Sequence, residues 1–314
     1  MKLLWLLTLL TLLALFGCVG GGHGHHMTQP PPPNPNATVS GVAWCGTQFV
    51  AVAGMSGVGG IVITSHDGVV WTAQALGTNG LRGVASAGTP SGAVAVGVGG
   101  TIVSSPDGVA WTVQTSGTTL DLNWVAWSGT GLVAVGSAGT VLTSPDGVTW
   151  TARTSGTALG LFGVAWSGTQ FVAVGDSGAV LTSPDGVTWT ARGSGVRNYR
   201  LIDVKWSGTQ WITVGQHGTI LTSPDAVTWT GRSSGTLNAM IGVAWSGHGF
   251  VAVGGVGTIL TSPDGVQWTG ERVVTDNRLT DIAWSGARFV VVGDAGTILS
   301  SADGATWASQ SWTL

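Results

Sequence analysis

Residues 142–156 read LTSPDGVTWTARTSG, residues 181–195 read LTSPDGVTWTARGSG and residues 221–235 read LTSPDAVTWTGRSSG. The phrase is one member of a longer series. Its aspartates are Asp67, Asp107, Asp146, Asp185, Asp225, Asp264 and Asp303, spaced 39 or 40 residues apart, and each is followed four residues later by a tryptophan. Self-similarity at a fixed period of about 40 residues marks a repeat architecture, in which one supersecondary unit is copied along the chain. A second marker, Val/Ile-x-Trp, recurs at Trp44, Trp127, Trp166, Trp206, Trp245 and Trp284, with Ser86 in its place in the second copy.

Each copy divides into four short apolar runs. In the fourth they are FGVAW (162–166), QFVAVG (170–175), AVLTS (179–183) and VTWTAR (187–192). The separators SGT, DSG and PDG carry turn chemistry. Four runs of about five residues fit an antiparallel meander. They are apolar at nearly every position, which calls for a sheet covered on both faces. A ring of such sheets supplies that cover, so the expected fold is all-β: a seven-bladed β-propeller of four-stranded antiparallel blades over residues 39–314. An open β-solenoid is the alternative, though about 40 residues is long for its unit. A strand exchanged between the chain ends would lock the ring, and residues 37–41 are a candidate for it.

The rest of the chain is of a different kind. Lys2 precedes an apolar stretch, Leu3–Phe16, that is short for a permanent membrane span. It ends in Leu15-Phe16-Gly17-Cys18, which resembles a bacterial lipobox; the resemblance implies a signal peptide over 1–17 and a lipid on Cys18. An ordinary secretory signal is the plainer alternative. Residues 18–38, rich in Gly, His and Pro, read as a tether. His23, His25 and His26 there are a solvated run more readily than a metal site. The implied address is the bacterial envelope, at the outer membrane or cell surface. Cys45 has no partner once Cys18 is acylated, and reads as a small buried residue.

SPDGVTW resembles the Asp-box, or BNR, repeat. The longer unit VAVG…GTILTSPDGVTWT resembles the propellers of photosystem II assembly and stability factors, across all seven copies. Here Gly follows Asp directly, so the turn is one residue shorter than the familiar Ser-x-Asp-x-Gly-x-x-Trp. Within the phrase the carboxylate has free backbone N–H groups to accept from, and the tryptophan has a blade interface to fill. The phrase therefore builds the frame, and binding is expected where the copies differ.

They differ on one face. With strands labelled A to D from the inside, the A–B and C–D turns share one side and are monotonous. The D–A segments and B–C turns share the other and vary, with Asp176, Gln216–His217 and Asp294 among the B–C turns. The fifth copy is the outlier: Arg197, Asn198, Tyr199 (the only tyrosine) and Arg200, then Asp203 and Lys205. Lys205 replaces an alanine present in the other six copies, and Asp203, Asp281 and Trp124 stand where the other four have glycine. These residues, with His217, form the candidate binding set, with Tyr199 and the arginines as anchors. The bland reading of Lys205 is a structural pair with Asp203 or Asp281.

The resulting expectation is a lipid-anchored binding scaffold for another envelope protein. Asp-box propellers include sialidases, so a surface glycan binder or glycosidase is the alternative, with Asp176, Asp203, Asp281 and Asp294 as possible acids. No nucleophile motif, P-loop or dinucleotide fingerprint occurs, and neither His217 nor His248 has partners at metal-ligand spacing, so no cofactor or metal is expected. A formal charge of −3 gives no reason to expect a nucleic-acid partner.

Overall fold

The computed structural model describes residues 36–89, 92–271 and 275–314. The signal segment, Cys18 and residues 19–35 of the expected tether lie outside the described residues. Seven four-stranded sheets follow one another, each hydrogen-bonded in chain order, so that β1 (Ala37–Trp44) to β4 (Thr72–Ala75) form blade 1 and β25 (Leu279–Trp284) to β28 (Ala308–Gln310) form blade 7. All pairings within the sheets are antiparallel. The fold is the seven-bladed β-propeller expected from the repeat. β1 begins at Ala37, two residues ahead of the expected boundary.

The second strand of each blade shows why the runs do not alternate. Phe171–Gly175 is buried at all five positions, as is Trp211–Gly215, because neighbouring blades cover both sheet faces. Apolar side chains gather into seven clusters, one at each interface between adjacent blades. The outer strands face solvent, as in Thr190–Gly193, which is exposed throughout.

The ring closes without strand exchange. Residues 37–41 belong wholly to β1, whose partner is β2 (Phe49–Met55) of its own blade. Blade 7 meets blade 1 side by side: Gly296 N–H donates to the Ala37 carbonyl at 2.8 Å, and Trp312 Nε1 donates to the Gly296 carbonyl at 3.0 Å. The cluster there includes Phe49, Val290, Ile298 and Trp312.

The repeated aspartate fastens its turn from within. Asp185 Oδ1 accepts from Val187 N and Thr188 N at 2.8 Å each, and from Ser183 Oγ at 3.1 Å. All seven aspartates accept the corresponding pair of amides. Those donors hold the carboxyls below the usual carboxylate range, Asp303 at about 2. Six of the seven following tryptophans, such as Trp189, donate Nε1 back to the turn carbonyl; Trp71 Nε1 meets no acceptor. Cys45 is fully buried, and burial pushes its thiol up to about 12.

Candidate functional site

The two faces separate as the strand order requires. Gln210 Nε2 reaches from an A–B hairpin to the Asp264 carbonyl, and Gln170 Nε2 to that of Asp225, so hairpins and aspartate turns share one side. On the other side Arg200 N donates to Gln216 Oε1 at 2.9 Å, joining a D–A segment to a B–C turn. The variable segments therefore surround one mouth of the central channel.

A backbone device missed in the sequence sets the inner wall of that mouth. The innermost strand of every blade carries one bulge, placing a single unpaired residue there: Ser40, Arg82, Asn123, Phe162, Ile202, Ile241 and Thr280. A bulge re-aims a side chain out of the ladder. All seven line a recess of about 260 Å³, together with Trp124, Asp203 and Asp281. The signal in the sequence was the most varied position of the inner strand, one residue before the Gly/Asp/Trp position.

Three arginines ring this recess, each paired to an aspartate. Arg82 meets Asp121 at 2.8 Å and also donates to Asn123 Oδ1 at 2.7 Å. Arg200 meets Asp176 at 2.9 Å and lies over the Phe162 ring, 4.0 Å from its centroid. Arg278 meets Asp294 at 3.0 Å. Their side chains stay 38–52% exposed, so the pairs are solvated and weakly fastened.

The outlying fifth copy stands on the rim. Arg197, Asn198 and Tyr199 are exposed, Asn198 takes a positive φ of 70°, and the Tyr199 ring stacks on His217 with centroids 4.5 Å apart. His217 itself has φ 56° at the tip of its turn. Beside it runs a shallow crevice of about 520 Å³ ending at Leu237, whose side chain is 83% exposed. Tyr199, His217 and Leu237 thus offer an apolar edge between polar groups.

Lys205, Asp203 and Asp281 lie deeper, inside the channel. Lys205 Nζ donates to Asp203 Oδ1 at 3.0 Å and sits 5.1 Å from the Trp124 ring centroid. Asp203 also accepts from Val204 N and, across the blade boundary, from Val243 N at 3.0 Å. Asp281 accepts from Val42 N of blade 1 at 2.7 Å. Burial raises the Asp281 carboxyl to about 7; Lys205 pulls it down and Asp203 pushes it up. For Lys205, burial opposes the charge, but the two carboxylates more than offset it and keep the ammonium. Both acids are almost fully buried at the edge of the recess, and each fastens its inner strand to that of the next blade. Where glycine stands at that position the strands touch directly: a Cβ on Gly163 would come within 2.7 Å of the Ile202 carbonyl.

Of the residues expected at the site, Arg197, Asn198, Tyr199, Arg200 and His217 come together on the rim. Asp203, Lys205, Trp124 and Asp281 form a separate, inner group. Among the described residues no three His, Cys, Asp or Glu side chains converge as metal ligands.

It folds like YCF48. A solved structure of YCF48 bound to D1 peptide superposes with a TM-score of 0.69 at 17% identity, covering 86% of this chain and 93% of that one. YCF48 from Cyanidioschyzon merolae gives 0.68 at 18% identity, over 86% and 97% of the two chains. At such identities the likeness to YCF48 is one of fold. No family model matches the sequence, and no curated protein does.

Proposed function

We propose that this propeller is a non-enzymatic scaffold that binds another protein through the variable rim, and that a lipid on Cys18 holds it at the bacterial envelope. The observation that carries the reading is the gathering of Arg197, Tyr199, His217 and Leu237 on the rim, while the turns of the opposite face repeat. An exposed aromatic flanked by arginine, with an exposed leucine across a shallow crevice, is the composition of an interface anchor. That YCF48 was solved with a peptide bound adds weight to a protein partner. Rigid blades hold the anchors in place, which keeps the ordering cost of association low.

Photo-crosslinking tests this. A crosslinker at Asn198 in the full chain traps one defined envelope protein, and Arg197→Ala with Tyr199→Ala abolishes the adduct. The same crosslinker at Thr149, on the aspartate-turn face, traps none. Equal yields at both positions refute the rim as the binding surface. The anchor is tested separately by Cys18→Ala, which removes incorporation of a palmitate analogue.

A further inference from the structure

The opposite mouth of the channel holds a second feature, on the face whose turns are uniform. A recess of about 440 Å³ opens there, walled by Trp127, Trp166, Trp206, Trp245 and Trp284. Below the indoles lies the ring of alanine methyls from the inner strands, interrupted only by Lys205, with Trp124 closing the floor. Ser86 takes the tryptophan's place in blade 2 and leaves one gap in the wall. Each indole packs against the aromatic residue heading the next strand where there is one, as Trp166 on Phe171 at 4.5 Å and Trp245 on Phe250 at 4.4 Å, so the wall is rigid.

The chemistry of this wall narrows its occupant. Among the described residues the five indole N–H groups meet no acceptor, and none of them is both buried and unpartnered. Lys205 spends one of its three N–H donors on Asp203. The recess is therefore largely apolar, with Lys205 as a donor that has capacity left. Lys205 is the one ionisable group that faces it, and Asp203 and Asp281 behind already compensate that charge. An anionic ligand would meet those carboxylates at close range, and a cationic one would meet the ammonium. A neutral molecule with an apolar face and many acceptor oxygens suits the site, and a pyranose ring is such a molecule. The volume falls within the range of small-ligand sites.

We infer that the tryptophan-walled recess on the aspartate-turn face is a binding site for a short neutral glycan, its rings against the indoles and a hydroxyl oxygen accepting from Lys205. This site is independent of the rim and of the protein partner proposed for it.

The experiment is a titration of the full chain, in mild detergent, with neutral disaccharides (cellobiose, maltose, chitobiose) and with glucuronic acid and glucosamine as charged probes. Tryptophan fluorescence and calorimetry are the readouts. At least one neutral disaccharide gives a saturable signal, and both charged sugars bind more weakly. Trp206→Ser and Trp245→Ser install the residue that blade 2 already carries, so the blades are expected to keep their fold, checked by an unchanged circular dichroism spectrum. Each weakens the disaccharide by about tenfold, the scale of one aromatic contact. Ala244→Phe fills the recess and abolishes binding while leaving rim crosslinking at Asn198 intact. No saturable signal from any neutral disaccharide overturns the inference. So does preferential binding of a charged sugar, or unchanged affinity in the folded serine variants.

Discussion

Replacing Lys205 with alanine gives blade 5 the residue found at that position in the other six blades, yet it should destabilise the protein. The reason lies in the neighbours. Asp203 and Asp281 are 4% and 1% exposed, and Lys205 is the cation between them. Removing one partner of a buried pair costs about 3–5 kcal/mol, because the other charge is left uncompensated. The lower end applies here, about 3 kcal/mol, since the Lys205 side chain keeps 27% exposure and water already shares the ammonium. For a domain of this size that is a fall in Tm of about 6–12 °C. The cost should also depend on pH. Without the ammonium the Asp281 carboxyl rises above its present value of about 7, so the folded state holds a proton that the unfolded state releases near the ordinary carboxylate pKa. Stability therefore falls as pH rises through that window, and the deficit of Lys205→Ala is small at pH 5 and largest at pH 8. Thermal melts at pH 5, 6, 7 and 8 read this directly. The triple variant Lys205→Ala/Asp203→Gly/Asp281→Gly, which copies blades 1, 2, 4 and 6 at these positions, should recover most of the loss. A Lys205→Ala protein as stable as the parent at pH 8, or one equally impaired at pH 5 and pH 8, refutes the reasoning.

Other outcomes follow from the frame and the rim. Gly186→Ala forces a residue with φ 75° to carry a Cβ that meets Val133 Cγ2 at 2.7 Å, and should cost about 2 kcal/mol in chemical denaturation. Ala226→Gly, at the equivalent turn of blade 5, relieves a positive φ of 63° but surrenders a fully buried methyl, so its stability stays within about 0.5 kcal/mol of the parent. Asp185→Ala leaves the Val187 and Thr188 amides to water and should cost about 1 kcal/mol. Because all seven turn carboxyls are held low, their contribution is complete above the ordinary carboxylate pKa and is lost as pH falls towards 2; a melt series from pH 5 to pH 2 should show this acid limb. Tyr199→Ala should leave Tm unchanged while abolishing the Asn198 crosslink, since Tyr199 is 41% exposed and its ring rests on His217 at the tip of a surface turn.

The blade was legible because its causes are local. Turn residues and doubly buried runs recur with the period, and seven copies leave seven interfaces to fill. The division into a uniform and a varied face also followed from strand order alone. The mouth was less legible. Arg82 and Asp121 are a blade apart in sequence, and nothing local to either announces the pair. Phe162 stands in an apolar run, and the bulge after Leu161 turns it into the channel beneath Arg200. Lys205 and Asp203 were open to two readings, ligand contacts at the channel mouth or a structural pair, because a charged strand residue in a varied copy resembles a ligand contact. Their partners, the Val243 amide and Asp281, come from blades 6 and 7, and only the ring brings them together. The candidate strand exchange failed for a related reason: residues 37–41 are the start of an ordinary inner strand, whose pairing partner is the very next one.

Closure by simple side-to-side packing has a consequence for the order of the copies. Ala37 and Trp312 both hydrogen-bond to Gly296, so the first and last strands' flanks already lie at one residue. The join between blade 7 and blade 1 uses the same side-to-side packing as the other six, with Trp312 standing where blade 4 has Ser194, and no blade borrows a strand from another. A circularly permuted gene, cut between any two blades and spliced across the old ends by a short linker, should encode the same disc.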